Sequence, residues 1–367
     1  MEKIKLVCQQ FCIAGTINEI KPFGEGLINS SYRVTLKDSP DEYVLQKINH
    51  HIFRDVDMLQ NNIYRITSHI RRKLEEKGEA DIDRKVLTLV ETLDGKLYYY
   101  DSESYWRMTV LIPQSRTFQT VNAENSYYAG KAFGHFQSML ADIPGEPLGE
   151  PIPNFHNMSN RLESFREAVK SNPAGRLTEV TDLVKQLEER SEEMCLAERL
   201  YQEGVLPKRI NHCDTKVNNL LFDQDGKVLC VIDLDTAMPG FVSSDFGDFM
   251  RTAGNTGRED DTDLTKVSFN MEIFRAYTLG YLEEAKDFLT PVELEILPFG
   301  ARLLTYMQTV RFLTDYLNGD TYYKITYPLH NLDRTRAQFK LLESIEEHYQ
   351  DMVHYISSFK LSVPQTR

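Results

Sequence analysis

At 367 residues, 41% hydrophobic and 26% charged, the chain has the composition of an ordinary globular protein and the length of two lobes with a sizeable core. Its 42 basic and 55 acidic side chains give a formal charge of −13 without a basic run, which argues against nucleic acid or an anionic membrane as partner. No segment has the unbroken apolar length of a transmembrane helix, and the charged, amphipathic start MEKIKLVCQQFCIAG does not read as a signal peptide.

The elements follow in order. A short helix over 2–13 precedes strands over Ile17–Pro22, 29–36 and 43–48. The first turn, FGEGLINSSY, carries Gly24, Gly26, Leu27 and Asn29. A glycine hairpin of this kind lets backbone N–H groups approach phosphate oxygens without obstruction. On the third strand a nucleotide site wants a basic residue. Lys47 and Gln46 are the candidates, and alternation turns them to opposite faces without choosing between them. A helix is expected over 55–77 on the apolar positions Leu59, Ile63, Ile66 and Ile70. A hairpin over 86–91 and 96–100 should turn at Asp94-Gly95, and a further strand over 105–113 should end in a hinge near 112–119. Two domains are expected on this basis: 1–113, an N-terminal nucleotide-binding lobe, and 114–367, a catalytic and substrate-binding helical lobe.

Helices are predicted over 123–140, 160–170 and 177–203, with a proline-containing loop over 145–154. Then comes PKRINHCDTKVNNLLFDQDGKVLCVIDLDTAMPG, residues 207–240. It holds His212-Cys213-Asp214, with Asn219 five positions after Asp214. A hairpin turns at Asp225-Gly226, and Asp233 stands at the exit of its second strand. That order and spacing match a kinase catalytic loop and its metal-binding aspartate. Asp214 suits the proton of an attacking hydroxyl. Asn219 and Asp233 are hard oxygen ligands for Mg2+, and Lys216 lies within reach of a transferred phosphate. A two-residue loop pairs Gln224 with Lys227 and so sets Asn219 against Ile232. A helix should open near Ser244, capped by Ser243 or Ser244, with Asp245 and Asp248 either tying the catalytic loop to it or meeting the metal directly. Helices over 268–286, 291–317 and 332–359 complete the chain. The five cysteines, Cys8, Cys12, Cys195, Cys213 and Cys230, are odd in number and scattered, as in a reduced cytoplasmic protein.

A β-rich lobe followed by a helical one, joined through this motif, is an α+β class, bilobal protein-kinase-like fold. The motif resembles that of the aminoglycoside phosphotransferase and choline kinase-like family. Nearly the whole chain is similar to bacterial N-acetylhexosamine 1-kinases within it. The strings that carry the likeness are HCDTKVNN, IDLDTAMPG, DFGD, RFLTDYLNGD and HNLDRTR. The resemblance implies ATP and Mg2+ as cofactors and a small-molecule sugar, GlcNAc or GalNAc, phosphorylated at its anomeric hydroxyl. It implies Asp214 as base, Asn219 and Asp233 as metal ligands, and Asp233, Arg311 and Tyr322 beside the sugar. Two positions depart from the relative: Leu27 stands where it has His, and Thr252 replaces an aromatic residue. Both positions would line the sugar pocket. Spacing alone allows Arg311 a second reading, a helical ion pair with Asp315. The alternatives are a kinase of a cationic small alcohol, which wants an acidic pocket, and a catalytically inactive nucleotide-binding scaffold. The scaffold reading would normally mean loss of one of Asp214, Asn219 or Asp233, and all three are present.

Overall fold

The computed structural model describes residues 2–24 and 28–359. The N-terminal region contains α1 (Glu2–Cys8), β1 (Ile17–Pro22), β2 (Ser30–Leu36), β3 (Glu42–Ile48), α2 (Val56–Glu76), α3 (Ile82–Lys85), β4 (Leu89–Val90), β5 (Tyr99–Tyr100) and β6 (Tyr105–Val110). Then follow α4 (Ala123–Leu140), α5 (Met158–Ser171), α6 (Thr181–Met194), α7 (Leu196–Gln202), β7 (Arg209–Asn211), β8 (Leu220–Phe222), β9 (Val228–Val231) and β10 (Met238–Gly240). The chain ends in α8 (Val242–Ala253), α9 (Met271–Ala285), α10 (Pro291–Glu295), α11 (Leu297–Leu317) and α12 (His330–Ser357). This is the mixed α+β class read from the sequence. It forms two compact units: Met1–Thr117 with Met139–Pro153 and Leu220–Met238, and Phe118–Ser138 with Asn154–Asn219 and Pro239–Arg367.

The first unit is built on an antiparallel sheet in the order β1-β2-β3-β6-β4, with β5 also on β6. Alternation along β3 buries Tyr43 and Leu45 in a cluster with Val7, Cys8, Phe11, Trp106 and Met108, so that α1 and the residues after it cover one face. The predicted 86–100 hairpin is only a turn. Thr92 and Lys96 close it, while its short flanking strands pair with β6 instead of each other. In α2 the predicted apolar stripe holds, with Leu59, Ile63 and Ile66 buried and Asp55 as N-cap.

The β8–β9 hairpin corrects one expectation and keeps its consequence. Its loop is longer than two residues. Asp223 N donates to Lys227 O at 2.8 Å, and the Asp223 carboxylate accepts from the amides of Asp225 and Lys227. Gly226 takes a φ of 81°, the left-handed residue such loops need. A bulge between Leu221 and Phe222 absorbs the extra residue, so Leu220 still pairs with Val231, the predicted register.

In the second unit α11 is the axis. Residues on nearly its whole circumference are buried, from Leu297 to Leu317, and α5, α8 and α12 pack around it. α8 and α11 meet backbone to backbone. A Cβ on Gly247 would stand 2.0 Å from Gly300 O, and one on Gly300 2.0 Å from Ser243 O. Three boundaries differ from the sequence reading. The expected helix 177–203 breaks into a 3-10 turn, α6 and α7, and 291–317 breaks into α10 and α11. α8 starts at Val242 without a side-chain cap, and Ser243 and Ser244 are buried in its first turn with neither Oγ bonded, since they face packed neighbours rather than the helix end.

Candidate active site

The loop read from the sequence as catalytic follows β7 in the second unit. Cys213 has a φ of 64°, unusual outside glycine, and bends the chain so that consecutive amides turn toward α8. The Asp245 carboxylate accepts from His212 N at 2.7 Å and Cys213 N at 2.8 Å, and Gln137 Nε2 donates to it at 2.9 Å. Asp248 accepts from Thr215 N at 3.0 Å, and Thr215 Oγ1 donates to Asp245 O at 2.6 Å. Both acids therefore hold the loop to α8, as the sequence suggested. Burial pushes the Asp245 carboxyl up to about 6, against the pull of neighbouring His212 and these donors. The glycine contact with α11 fixes the helix on which both acids ride.

Asp214 stands at the top of this loop. Lys216 Nζ lies 2.8 Å from its Oδ1, and Asn219 Nδ2 donates to its Oδ2 at 3.1 Å and its backbone oxygen at 2.8 Å. Burial would raise the Asp214 carboxyl. Lys216, His212 and Asn219 outweigh it and hold the group below the usual carboxylate range. Burial would likewise lower the Lys216 ammonium, and Asp214 with Asp248 raise it instead. With the Asn219 nitrogen taken by Asp214, Oδ1 is the atom it offers a hard cation. Beside these, Arg251 is buried between Asp248 at 2.9 Å and Glu259 at 2.6 Å, which keep its guanidinium firmly charged. Thr252 bonds back to Asp248 O at 2.9 Å and Phe249 O at 3.2 Å.

Arg311 does not pair with Asp315. That carboxylate is occupied by the amides of Thr321, Tyr322 and Tyr323 at 2.9, 2.8 and 2.9 Å and by Asn331 Nδ2 at 2.8 Å. Asn331 also reaches Asp320 at 2.9 Å, and Arg176 pairs with Asp320 at 2.5 Å. The RFLTDYLNGD and HNLDRTR strings are thus a lock on the loop after α11. Arg311 is left over the rings of Phe155, at 5.4 Å, and Tyr323, at 5.6 Å, and donates to Gln308 at 3.0 Å. Tyr322, the residue singled out by sequence, is 65% exposed and packs edge-on against Tyr323. Spacing found the loop, and the neighbouring tyrosine is the one against Arg311. Phe155 and His156 carried no motif.

The first unit carries the remaining predicted residues. Gly24 has a φ of 75° and open space at its Cβ position, whereas Gly26 and Leu27 lie outside the described residues. Lys47 is exposed on the Tyr43–Leu45 face of β3, and Gln46 lies on the other. Gln46 pairs across the sheet with Arg107 of β6, whose Nε donates to Gln46 Oε1 at 2.9 Å. Arg107 also forms a buried ion pair with Asp235, which accepts from Asn29 Nδ2 at 2.5 Å. Asn29 Oδ1 in turn accepts from Asn49 N at 2.9 Å. Asp235 lies two residues after Asp233, in a 3-10 turn that Asp233 enters with a φ of 60°. The network therefore ties the segment bearing Asp233 to the sheet. Only strand register, which sets Arg107 opposite Gln46, could have pointed to it.

A catalytic-loop carboxylate paired with a lysine, in a chain with an N-terminal antiparallel sheet and a helical remainder, marks a phosphotransferase of the kinase-like class. The chain belongs to the phosphotransferase enzyme family (APH), which it matches over residues 19–287. Its fold is similar to that of an aminoglycoside phosphotransferase from Alicyclobacillus acidocaldarius, with a TM-score of 0.60 and 12% identity over 97% of this chain and 96% of the other. A spectinomycin phosphotransferase crystallised with ADP and its antibiotic gives 0.58 at 13% identity, covering 95% and 98%. A choline kinase from Cryptosporidium parvum gives 0.53 at 15% identity, covering 98% and 99%. Among the described residues no helix is long and apolar enough to cross a membrane.

Proposed function

We propose that the protein transfers the γ-phosphoryl group of ATP to the anomeric hydroxyl of an N-acetylhexosamine, giving the sugar 1-phosphate. The observation that carries the choice of acceptor is Arg311. It stands over Phe155 and Tyr323 without a carboxylate partner among the described residues. A cation left in this state among rings suits a neutral ring bearing hydroxyls and a carbonyl, and repels the ammonium of choline or an aminoglycoside. The ADP held by the spectinomycin phosphotransferase supports a nucleotide donor.

In this reading Asp214 orients the C1 hydroxyl and takes its proton as the new P–O bond forms and the bond to ADP breaks. An anomeric hydroxyl is more acidic than an ordinary alcohol, so a carboxylate held below its usual range is a sufficient base. Lys216 meets the transferred phosphate. Asn219 and Asp233 are the proposed Mg2+ ligands, since each side chain carries a hard oxygen, and the Asn219 nitrogen is turned to Asp214. Bound there, the ion would neutralise phosphate charge. The turn at Gly24 cradles the nucleotide. The resemblance would also put Asp233, Arg311 and Tyr322 beside the sugar.

A panel of N-acetylhexosamines, parent hexoses, choline and aminoglycosides, each with ATP and Mg2+, tests the reading. A 1-phosphate of GlcNAc or GalNAc is expected by phosphorus NMR, and phosphate on an amine-bearing alcohol instead would overturn it.

A further inference from the structure

Two polar side chains near Arg311 lack the partners that buried groups ordinarily have. His156 Nδ1 is buried and accepts or donates no hydrogen bond among the described residues, and the same holds for Arg161 Nε. The two sit together. Arg161 Nη2 donates to Phe155 O at 2.8 Å, the His156 ring stacks on Phe155 at 4.7 Å, and the Arg311 guanidinium lies over the Phe155 ring at 5.4 Å. Arg161, like Arg311, makes no ion pair among the described residues, and the two guanidiniums repel each other. Burial and that repulsion pull Arg161 down to about 10. The start of α5 does not explain them, because Asn157 already accepts from Asn160 N at 2.9 Å and Glu198 from Met158 N at 2.6 Å.

In the proposed function this is the acceptor side, because Arg311 stands over Phe155. Asp214 and Asp248 act electrostatically on His156 together with Arg311 and Arg161. Burial dominates, and the imidazole falls to about 4, so it is neutral at physiological pH. A neutral imidazole nitrogen can accept an N–H, and a guanidinium donates to a carbonyl oxygen. Those two capacities match a secondary amide.

We propose that His156 and Arg161 form the subsite that reads the acetamido group of the acceptor. The inference rests on the sugar kinase reading above. His156 accepts the amide N–H, and Arg161 with Arg311 holds the carbonyl. The subsite sets specificity by leaving its polar groups unpaired when the amide is missing.

The test is the ratio of kcat/KM for N-acetylglucosamine over glucose in the unaltered enzyme, His156→Ala, Arg161→Met and the conservative His156→Asn. The ratio should fall at least about tenfold, roughly 1.4 kcal/mol, in the first two variants, chiefly through KM for N-acetylglucosamine, and recover in part in His156→Asn. An unchanged ratio, or an equal fall on both sugars, overturns the subsite. A second readout needs no variant: in the 15N-histidine-labelled enzyme the His156 imidazole signal should shift with N-acetylglucosamine and not with glucose, and a signal moved by neither sugar overturns the assignment. An enzyme that phosphorylates no N-acetylhexosamine removes both readings. One that does so with an unmoved ratio and an unmoved signal removes the subsite alone.

Discussion

Gly300→Ala offers a sharp test of how the catalytic loop is held, because two effects of opposite sign compete. In a helix interior alanine is favoured over glycine by about 1 kcal/mol, so on propensity alone the variant gains stability. The structure predicts the reverse. The new Cβ would stand 2.0 Å from Ser243 O and 2.8 Å from Ser243 C, where ordinary contact begins near 3.4 Å. Relief requires α8 and α11 to part by more than about 1 Å along a fully packed face, and the obstacle is backbone that no rotamer change can move. Overpacking of this kind costs about 1–3 kcal/mol, and a backbone clash belongs at the upper end. The net expectation is a loss of about 2 kcal/mol, read as a lower midpoint in urea denaturation with an unchanged slope. Because α8 carries Asp245 and Asp248, which accept from the amides of His212, Cys213 and Thr215, kcat should fall as well. A Gly300→Ala protein as stable as the parent would refute the close packing and the argument that α8 is the rigid support of the loop.

Two further outcomes follow from the charges. In Lys216→Met the ammonium that outweighs burial at Asp214 is gone, so the carboxyl rises. A base acts only when ionised, and its activity is lost as pH falls through its pKa. The acid limb of kcat/KM should therefore move to higher pH in the variant, whatever its height, and an unmoved limb would contradict the coupling. Arg107→Met leaves Asp235 buried beside an apolar chain, and breaking such a pair costs about 3–5 kcal/mol. Thermal denaturation should show that loss, with part of it restored in the double variant Arg107→Met/Asp235→Leu; a single variant as stable as the parent would show the pair to be dispensable.

How much of this could be read in the chain varies with the range of the interaction. Local pattern carried the fold class, the β1–β3 strands, the stripe of α2 and the order of the catalytic motif. The register at Leu220 was also legible, although the hairpin reached it through a bulge and a longer loop than a two-residue turn provides. Asp245 and Asp248 were legible as anchors because they open a helix just after the loop they hold. What sequence missed is long-range pairing. Arg107 meets Asp235 across 128 positions, and no periodicity encodes that. His156 and Arg161 precede the catalytic loop by about fifty residues in a stretch without a motif, and only their missing partners mark them. That Tyr323 is the tyrosine against Arg311 was not legible, because the loop after α11 is set by three amides on Asp315, and spacing on a helix does not foresee the turn they impose.

The central claim is that the Asp214 carboxylate serves the transfer of phosphate from ATP to the C1 oxygen of an N-acetylated hexose. Phosphorus NMR of enzyme, Mg2+, ATP and N-acetylglucosamine or N-acetylgalactosamine, run beside a folded Asp214→Asn variant, measures it directly. The expected result is a sugar 1-phosphate signal growing with that of ADP in the parent and slowed by orders of magnitude in the variant. Equal rates in the two proteins, or phosphate appearing only on other acceptors, would contradict it.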